Sequence, residues 1–290
     1  MWSVKVAEKQ VRFGIKVAQM TGLYNEGMRD AWLEADRLGF DTAWGHDHLL
    51  NQNDHTKPEE EGWTILAALL ALSQQIRGGL MVTCNTFRHP GVVAKMATTI
   101  DRISNGRVIV GLGAGWLEAE HEQYGIPLPS RGDRSRMLDE ACQVMIALWT
   151  QERATFEGRH YTLKDAYHEP KPVQQPHPEL HIGGSGEKMT LRTVAKYAQA
   201  WNFNDNGKSP EEFVHKRRVL EQHCEDVGRN PDEIERSVQF RAGPSAAELI
   251  DSGRQYVEAG ATHLIFTCPQ PYSVQGARWL WNEVVTPLKG

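Results

Sequence analysis

The chain has 290 residues with 40% hydrophobic and 24% charged side chains and a formal net charge of −5, proportions that are ordinary for a globular protein with a sizeable core. The lack of a Lys/Arg block disfavours nucleic acid or an anionic membrane as a partner, and no apolar run approaches the roughly 18 residues of a spanning helix. Residues 1–11 carry no apolar signal segment and the four cysteines form no C-x-x-C pair, so we expect a cytoplasmic protein without a disulfide frame or a zinc knuckle.

The first half of the chain alternates short apolar runs with helical patterns of apolar residues. The runs predict four strands, at 12–19, 41–44, 79–83 and 108–110. The patterns between them predict helices at 27–38, 63–75 and 92–103. The polar and acidic stretch 51–62 is predicted to be a surface loop.

The second half continues this alternation after an irregular stretch. Asp133 is predicted to cap a long helix that ends near Trp149. Residues 151–178 are predicted to be an irregular excursion and not a domain linker, because strand-like residues resume at once. Strands are predicted at 179–182, 200–203, 236–240 and 262–267. Helices are predicted at 188–197, 210–227, 246–259 and 276–288.

Eight strands alternating with helices predict a (β/α)8 TIM barrel, with a doubly wound sheet as the alternative. We expect one domain over residues 1–290, with an insertion after strand four at about 115–178. The loops after strands two to five are unusually polar or glycine-rich. Because catalytic groups of such barrels lie on the loops after the strands, these loops are expected to line one mouth.

The glycine-rich run after strand four, Gly111 to Gly115, is followed by Trp116, Glu118 and Glu120. A dinucleotide fingerprint is disfavoured, because Trp116 stands where its third glycine would be. A purely structural turn stays open. An aromatic ring and carboxylates just past a strand end favour the wall of a ligand site.

Two further strand ends carry candidate groups. Gly184-Ser185-Gly186 ahead of a helix offers backbone N–H groups suited to a phosphate, with a plain turn as the alternative. Asp47-His48 follows strand two and could be a loop cap beside a surface histidine. A metal site on His46 and His48 lacks an evident third ligand, so we predict no metal.

Motifs in every part of the chain resemble the bacterial luciferase-like superfamily, and most closely its branch that uses the deazaflavin coenzyme F420. They run in the family's order through nearly the whole sequence. They are GFDTAW at 39–44 with Asp47-His48, VTCNTFRHP at 82–90, GR at 106–107, GLGAGW at 111–116, Glu120 with YGI at 124–126, FEGRHY at 156–161, PKP at 170–172 and IGGSG at 182–186.

The resemblance implies a luciferase-type TIM barrel and an oxidoreductase that transfers a hydride between coenzyme F420 and a small organic substrate. The alternatives are an FMN-dependent luciferase-like monooxygenase and a non-catalytic flavin-binding protein. We also expect a homodimer. The coenzyme's glutamate tail would need cations near the mouth, for which the candidates are Lys188, Arg192, Arg131 and Arg134.

The resemblance also assigns roles to single residues. His48 and Glu120 are the predicted proton-transfer groups, and Asp47 is predicted to hold the polar edge of the deazaflavin ring. A bulge with a non-prolyl cis peptide is implied close to Val82, against the back of that ring. The predicted coenzyme contacts are Asp47, Val82, Thr83, Asn85, Ala114, Gly115, Gly183, Gly184, Ser185 and Gly186.

Trp44 and Trp116 are the predicted substrate contacts, and Trp116 marks a departure from the family. Members that oxidise sugar phosphates carry a carboxylate at this position. An aromatic face beside the hydride-bearing carbon is expected to favour flat, apolar substrates over anionic sugars.

Overall fold

The computed structural model describes residues 11–18, 24–241, 243 and 245–290, in which strands and helices alternate. Gln19, the last residue of the first predicted strand, lies outside the described residues. The first half contains β1 (Arg12–Lys16), α1 (Arg29–Leu38), β2 (Thr42–Gly45), α2 (Gly62–Leu72), β3 (Arg77–Leu80), β4 (Thr83–Cys84), α3 (Pro90–Ser104), β5 (Val108–Gly113), α4 (Glu118–Tyr124) and α5 (Arg131–Thr150). The second half contains β6 (Arg153–Glu157), β7 (Thr162–Tyr167), β8 (Glu179–Gly183), α6 (Thr190–Tyr197), β9 (Ala200–Asn204), α7 (Pro210–Val227), β10 (Glu235–Phe240), α8 (Ala246–Glu258), β11 (His263–Thr267), α9 (Val274–Trp279) and α10 (Thr286–Lys289). π-helical turns at Tyr24–Met28 and Leu280–Val285 lead into α1 and join α9 to α10.

Eight parallel strands close into a barrel, as the alternation predicted. Their order is β1, β2, β3, β5, β8, β9, β10, β11, and β11 pairs with β1. The two-residue strand β4 extends the edge beside β5. The (β/α)8 fold is therefore confirmed, and the carboxyl ends of all eight strands open on the same face.

Strand β5 is longer than predicted, because its glycines belong to the strand. It continues through Gly111 and Leu112 to Gly113, beyond the predicted end at Val110. A Cβ on Gly113 would stand 2.3 Å from Cγ2 of Val82, far inside contact distance. The absent side chain makes room for the neighbouring Val82, which a sequence pattern cannot reveal.

The long helix α5 begins earlier than predicted. Ser130 is its N-cap, and the Ser130 hydroxyl accepts a hydrogen bond from the backbone N–H of Asp133 at 3.2 Å. The same hydroxyl donates to the Asp133 carboxylate at 2.7 Å. Asp133 therefore lies in the first helical turn, where a carboxylate stabilises the positive end of the helix dipole, and is not the cap.

The stretch predicted to be irregular contains an antiparallel hairpin of β6 and β7. β6 (RATFE) alternates polar and apolar residues over only five positions, and β7 (TLKDAY) is mostly exposed without regular alternation, so the sequence signal for a hairpin is short. The Glu140 carboxylate on α5 accepts hydrogen bonds from the backbone N–H groups of Arg159, His160 and Tyr161 in the connecting turn. The hairpin is thereby fastened to α5, inside the segment assigned to the insertion.

Within the described ranges, no helix combines the length and the apolar character needed to cross a bilayer. All four cysteines are free and buried, in agreement with the predicted lack of a disulfide frame.

Candidate active site

A cavity of about 640 Å³ opens at the carboxyl ends of the barrel strands. Such a volume is typical of sites for small ligands and cofactors. Nine of the predicted site residues line the cavity: Asp47, His48, Val82, Ala114, Gly115, Trp116, Glu120, Gly183 and Gly184. The other five, Trp44, Thr83, Asn85, Ser185 and Gly186, are not in its lining.

His48 and Glu120 form a buried pair on one side of the cavity. Nδ1 of His48 stands 3.0 Å from both carboxylate oxygens of Glu120, which is 1% exposed. The backbone N–H groups of Leu49 and Leu50 donate to the same carboxylate at 2.6 and 3.1 Å. Burial acts to raise the pKa of Glu120, but these donors and His48 outweigh it, and the pKa lies below its ordinary value.

An ionised Glu120 fixes the tautomer of His48. A carboxylate only accepts hydrogen bonds, so Nδ1 of His48 carries the proton and Nε2 is the ring nitrogen left for a ligand. The ring edge of His48 also meets the Trp116 ring, with centroids 6.0 Å apart at 75°. The arrangement holds a histidine in one orientation at the cavity wall, which proton transfer requires.

Asp47 presents a buried oxygen without a partner. Its Oδ2 accepts hydrogen bonds from the backbone N–H of Cys84 at 3.0 Å and from Arg88 at 2.7 Å. Oδ1 is buried and has no hydrogen-bond partner among the described residues. Burial raises the pKa of Asp47, although Arg88 opposes this. A buried acceptor at a cavity wall needs a donor, and a ligand N–H would supply it.

The Met81–Val82 peptide bond is cis, at the place the resemblance implies. Val82 fits between β5 and β8, since a Cβ on Gly183 would stand 2.8 Å from Cγ1 of Val82. Thr83 and Asn85, by contrast, are buried behind the cavity wall. The Asn85 amide donates to the Tyr161 hydroxyl at 3.2 Å, so Asn85 supports the wall and does not line it.

The loop after β8 approaches the cavity through Gly183 and Gly184. Ser185 and Gly186 turn away from the cavity lining, and α6 begins only at Thr190. Among the described residues no side chain caps the first turn of α6. The Leu191 N–H already donates to the Gly186 carbonyl at 3.0 Å, so Thr190 is the first-turn residue that lines the cavity. A second groove lies beside α6. It is lined by five cations, Lys188, Arg192, Lys196, Arg136 and Arg159, and by three carboxylates, Asp139, Glu140 and Glu157. Arg131 and Arg134 line neither space.

The two tryptophans predicted as substrate contacts lie in different environments. Trp116 is 61% exposed at the cavity wall. Trp44 is completely buried beneath the cavity, where Nε1 donates to the Thr42 hydroxyl at 2.8 Å and the ring packs on His181. Its side chain points into the barrel interior, so the prediction for Trp44 is corrected: it is a core residue.

A sequence model of the luciferase-like monooxygenase family matches residues 15–275 of the chain. The chain belongs to this family. Relatives within it use different coenzymes. The chain is 32% identical over 237 residues to the F420-dependent glucose-6-phosphate dehydrogenase of Microbacterium testaceum, covering 80% of this chain and 68% of that enzyme. It is 30% identical over 198 residues to the FMNH(2)-dependent dimethylsulfone monooxygenase of Pseudomonas putida, covering 66% of this chain and 53% of that enzyme.

A solved structure supports the luciferase-like fold. An F420-dependent secondary alcohol dehydrogenase in complex with an F420–acetone adduct superposes with a TM-score of 0.84, covering 96% of this chain and 99% of that one. The two sequences are 20% identical, so the likeness concerns the barrel alone.

The luciferase-like site also contains polar residues that the sequence analysis missed. Lys16, Asn202, Gln239 and Arg241 line the cavity from the ends of β1, β9 and β10. Burial lowers the pKa of Lys16 to about 8. What these residues share in the sequence is a polar side chain at or just past the carboxyl end of a barrel strand. They show that the mouth of the barrel includes more than the loops after strands two to five.

Glu59 was missed for a different reason. It lies in the stretch 51–62, predicted to be a surface loop, yet its side chain is 2% exposed and its Oε1 stands 2.7 Å from Nε2 of His46. A glutamate in a polar segment is usually solvated. Its burial depends on His46, a partner in another segment that the sequence pattern does not reveal.

A cluster of Glu179, His181 and Glu235 lies at the other end of the barrel, with possible ligand atoms within 4.8 Å of one another. Arginines and histidines already neutralise both carboxylates. Arg77 pairs with Glu179, Arg12 with Glu235 at 2.9 Å, and His263 with Glu235 at 2.7 Å. This cluster is a buried ion-pair network at the first residues of the strands, away from the cavity.

Proposed function

We propose that this luciferase-like protein is an oxidoreductase that transfers a hydride between coenzyme F420 and a small organic substrate. The observation that carries the proposal is one cavity wall that combines the unpartnered Oδ1 of Asp47 with the buried His48–Glu120 pair. Oδ1 of Asp47 could accept a hydrogen bond from the polar edge of a flavin-like ring. The His48–Glu120 pair could transfer the proton that accompanies the hydride.

The residues of the cavity fit this coenzyme. Oδ1 of Asp47 lacks a donor, and the pyrimidine edge of a deazaflavin carries N–H groups that supply one. Val82 would lie against the back of the ring. Gly183 and Gly184, with Thr190 at the start of α6, would receive the phosphate.

The groove beside α6 favours F420 over FMN. FMN ends at its phosphate, whereas the F420 tail continues into glutamates. Lys188 and Arg192 line the groove, close in sequence to Gly183, Gly184 and Thr190 of the cavity, and they make no ion pair with any described residue. Lys196, in contrast, is paired with Asp139 at 2.9 Å. An anionic glutamate tail needs cations beside it, and Lys188 and Arg192 would supply two that have no other ion-pair partner among the described residues.

The protein's own residues would hold and move the proton. When bound, the coenzyme supplies the hydride. Glu120 keeps the Nδ1–H of His48 in place, so that Nε2 of His48 gives a proton to the reduced substrate or takes one from an alcohol. Glu120 accepts the Nδ1–H bond whether or not Nε2 carries a proton, so the ring of His48 keeps its orientation while the proton moves.

The substrate would enter between Trp116 and the polar wall of Lys16 and Arg241. The tryptophan face suits a flat, unsaturated body. The amine and guanidinium suit a carbonyl oxygen on that body. We therefore expect conjugated ketones to be reduced.

The test is an anaerobic assay with reduced F420 that carries deuterium at C5, offered to a panel of enones and simple ketones. We expect product that contains one deuterium at carbon, detected by mass spectrometry, in a reaction without oxygen consumption. Oxidised F420 with glucose 6-phosphate forms the second arm. We expect this arm to be slow, because Trp116 replaces the carboxylate of sugar-phosphate enzymes.

Two results would contradict the proposal in different ways. Brisk glucose 6-phosphate oxidation would refute the role of Trp116 alone. Oxygen uptake driven by reduced FMN, without label transfer from F420, would identify the monooxygenase alternative. A cytoplasmic homodimer remains part of the proposal, and sedimentation of the purified protein tests the dimer.

A further inference from the structure

Two histidine–carboxylate pairs meet at the end of β2. His48 contacts Glu120, and two residues earlier His46 contacts Glu59, with 2.7 Å between Nε2 and Oε1. The rings of the two histidines are 4.9 Å apart and meet edge to face at 78°. Both histidines line the cavity, whereas Glu59 lies behind His46 and does not.

The two carboxylates are in opposite environments. Two backbone N–H groups and His48 surround Glu120. Glu59 is equally buried, but its Oε2 has no hydrogen-bond partner among the described residues. Burial, and then the charges of Glu120 and Glu60, raise the pKa of Glu59 to about 8. Carboxyl groups driven apart in this way are typical of acid and base partners in one site.

The groups around Glu59 keep its pair neutral. Burial, and then the charges of His48 and Lys16, hold the pKa of His46 well below its ordinary value. The charged neighbours are His48 on the β2 end, Lys16 on β1, Glu120 on α4 and Glu60 in the same loop. A neutral histidine 2.7 Å from a protonated carboxyl group shares one proton, since the carboxyl donates and the ring nitrogen accepts.

We propose that the His46–Glu59 pair is the proton store of the cavity, which reloads His48 after each turnover. This role rests on the proposed function. In the reducing direction the substrate gains a hydride from the reduced deazaflavin and a proton from Nε2 of His48. The O–H bond of Glu59 then breaks as its proton passes to His46, and the His46 ring gives a proton to Nε2 of His48. Glu59 is left as a carboxylate, and solvent later reprotonates it.

The test compares Glu59→Gln with Glu152→Gln, because Glu152 is an exposed carboxylate after α5 that does not line the cavity. Glutamine keeps the size of a protonated Glu59 and can still donate to His46, but it cannot release a proton. In Glu59→Gln we expect the first turnover of a rapid-mixing experiment to keep its wild-type rate, because the first proton comes from His48 and not from Glu59. We expect later turnovers to slow by about tenfold. Glu152→Gln should keep both rates.

A second measurement needs no coenzyme. Infrared spectra of the protein alone should show the C=O band of a buried protonated carboxyl group at neutral pH. The band should fade as the pH rises through about 8, be absent in Glu59→Gln and persist in Glu152→Gln. Lys16→Met serves as a control. Burial lowers the pKa of Lys16 to about 8 as well, so Lys16 would titrate in the same pH range as Glu59. The band must survive this substitution.

The outcomes separate the two proposals. Any of three results would overturn the proton store alone. They are turnover in a protein that shows no Glu59 band, equal steady-state rates in Glu59→Gln and wild type, and a slowed first turnover in Glu59→Gln. A slowed first turnover would indicate a structural role. A protein that shows the Glu59 band but gives no turnover with F420 would overturn the proposed function. The proton store would then be wrong too, because there would be no reaction to supply with protons.

Discussion

At the scale of single residues, the site separates binding from proton transfer. Asp47 and His48 are adjacent in the chain, but their side chains have different partners. Asp47 is fixed by Arg88 and keeps one free oxygen for a ligand. His48 is fixed by Glu120. Because the two groups share no partner, their substitutions should affect different steps.

Substitution of His48 and Asp47 tests this separation. His48→Ala should lower turnover by about a hundredfold, while F420 affinity stays within about threefold, or ~0.7 kcal/mol. Asp47→Ala should weaken F420 binding by about tenfold or more, since the ring edge loses its acceptor. The measurements are fluorescence titration and steady-state rates, with the exposed His55→Ala as the control. If both variants lost coenzyme binding equally, the division of roles would be wrong.

At the scale of elements, the sequence predicted best those helices and strands whose ends depend on neighbouring residues. The sequence pattern predicted α7 with both of its ends, because Ser209 caps it and Gly228 closes it in a left-handed conformation. The hairpin of β6 and β7 escaped prediction, because regular alternation is confined to the five residues of β6 and is lost in the mostly exposed β7. Trp44 was misplaced for a related reason. A strand end alone does not reveal which side chain turns inward.

The ion-pair network at the starts of β1, β10 and β11 gives a prediction about stability. Burial acts to raise the pKa of Glu235, but His263 and Arg12 outweigh it and lower the pKa to about 2. A lowered carboxyl pKa stabilises the folded state above the unfolded pKa, near 4.5, and this contribution disappears as the pH falls toward 2. Glu235→Gln should therefore cost roughly 3 kcal/mol at neutral pH and much less at about pH 3.

Urea unfolding at the two pH values measures this cost. The control is Glu233→Gln, because the Glu233 side chain is 60% exposed and its ion-pair partner among the described residues is the nearby Arg229, at 3.3 Å. That pair should contribute less than about 1 kcal/mol at either pH. An equal loss of stability at both pH values for Glu235→Gln would show that the network does not act through the charge of Glu235.

At the scale of the whole molecule, barrel closure assembles the site. Lys16, His48, Trp116, Gly183 and Arg241 are distant in sequence but line one cavity. The barrel, and the loops after strands two to five, followed from the alternation of elements. The opposite wall from β1, β9 and β10 was not predicted, because isolated polar residues at strand ends carry little signal until the barrel closes.

The coenzyme is the central claim, and a binding titration tests it most directly. The ligands are F420 with its glutamate tail, F420 without the glutamates, and FMN. The proteins are the wild type, the double variant Lys188→Ala/Arg192→Ala, and Lys164→Ala as the control, because Lys164 is an exposed cation on β7 outside the groove.

We expect the wild type to bind tailed F420 at least about tenfold more tightly than FMN. The double variant should lose about fivefold in affinity for tailed F420 and nothing for the tailless form, because two exposed charge contacts each contribute less than about 1 kcal/mol. Lys164→Ala should match the wild type. FMN binding that is as tight as F420 binding, or tighter, would contradict the assignment of this protein to deazaflavin chemistry.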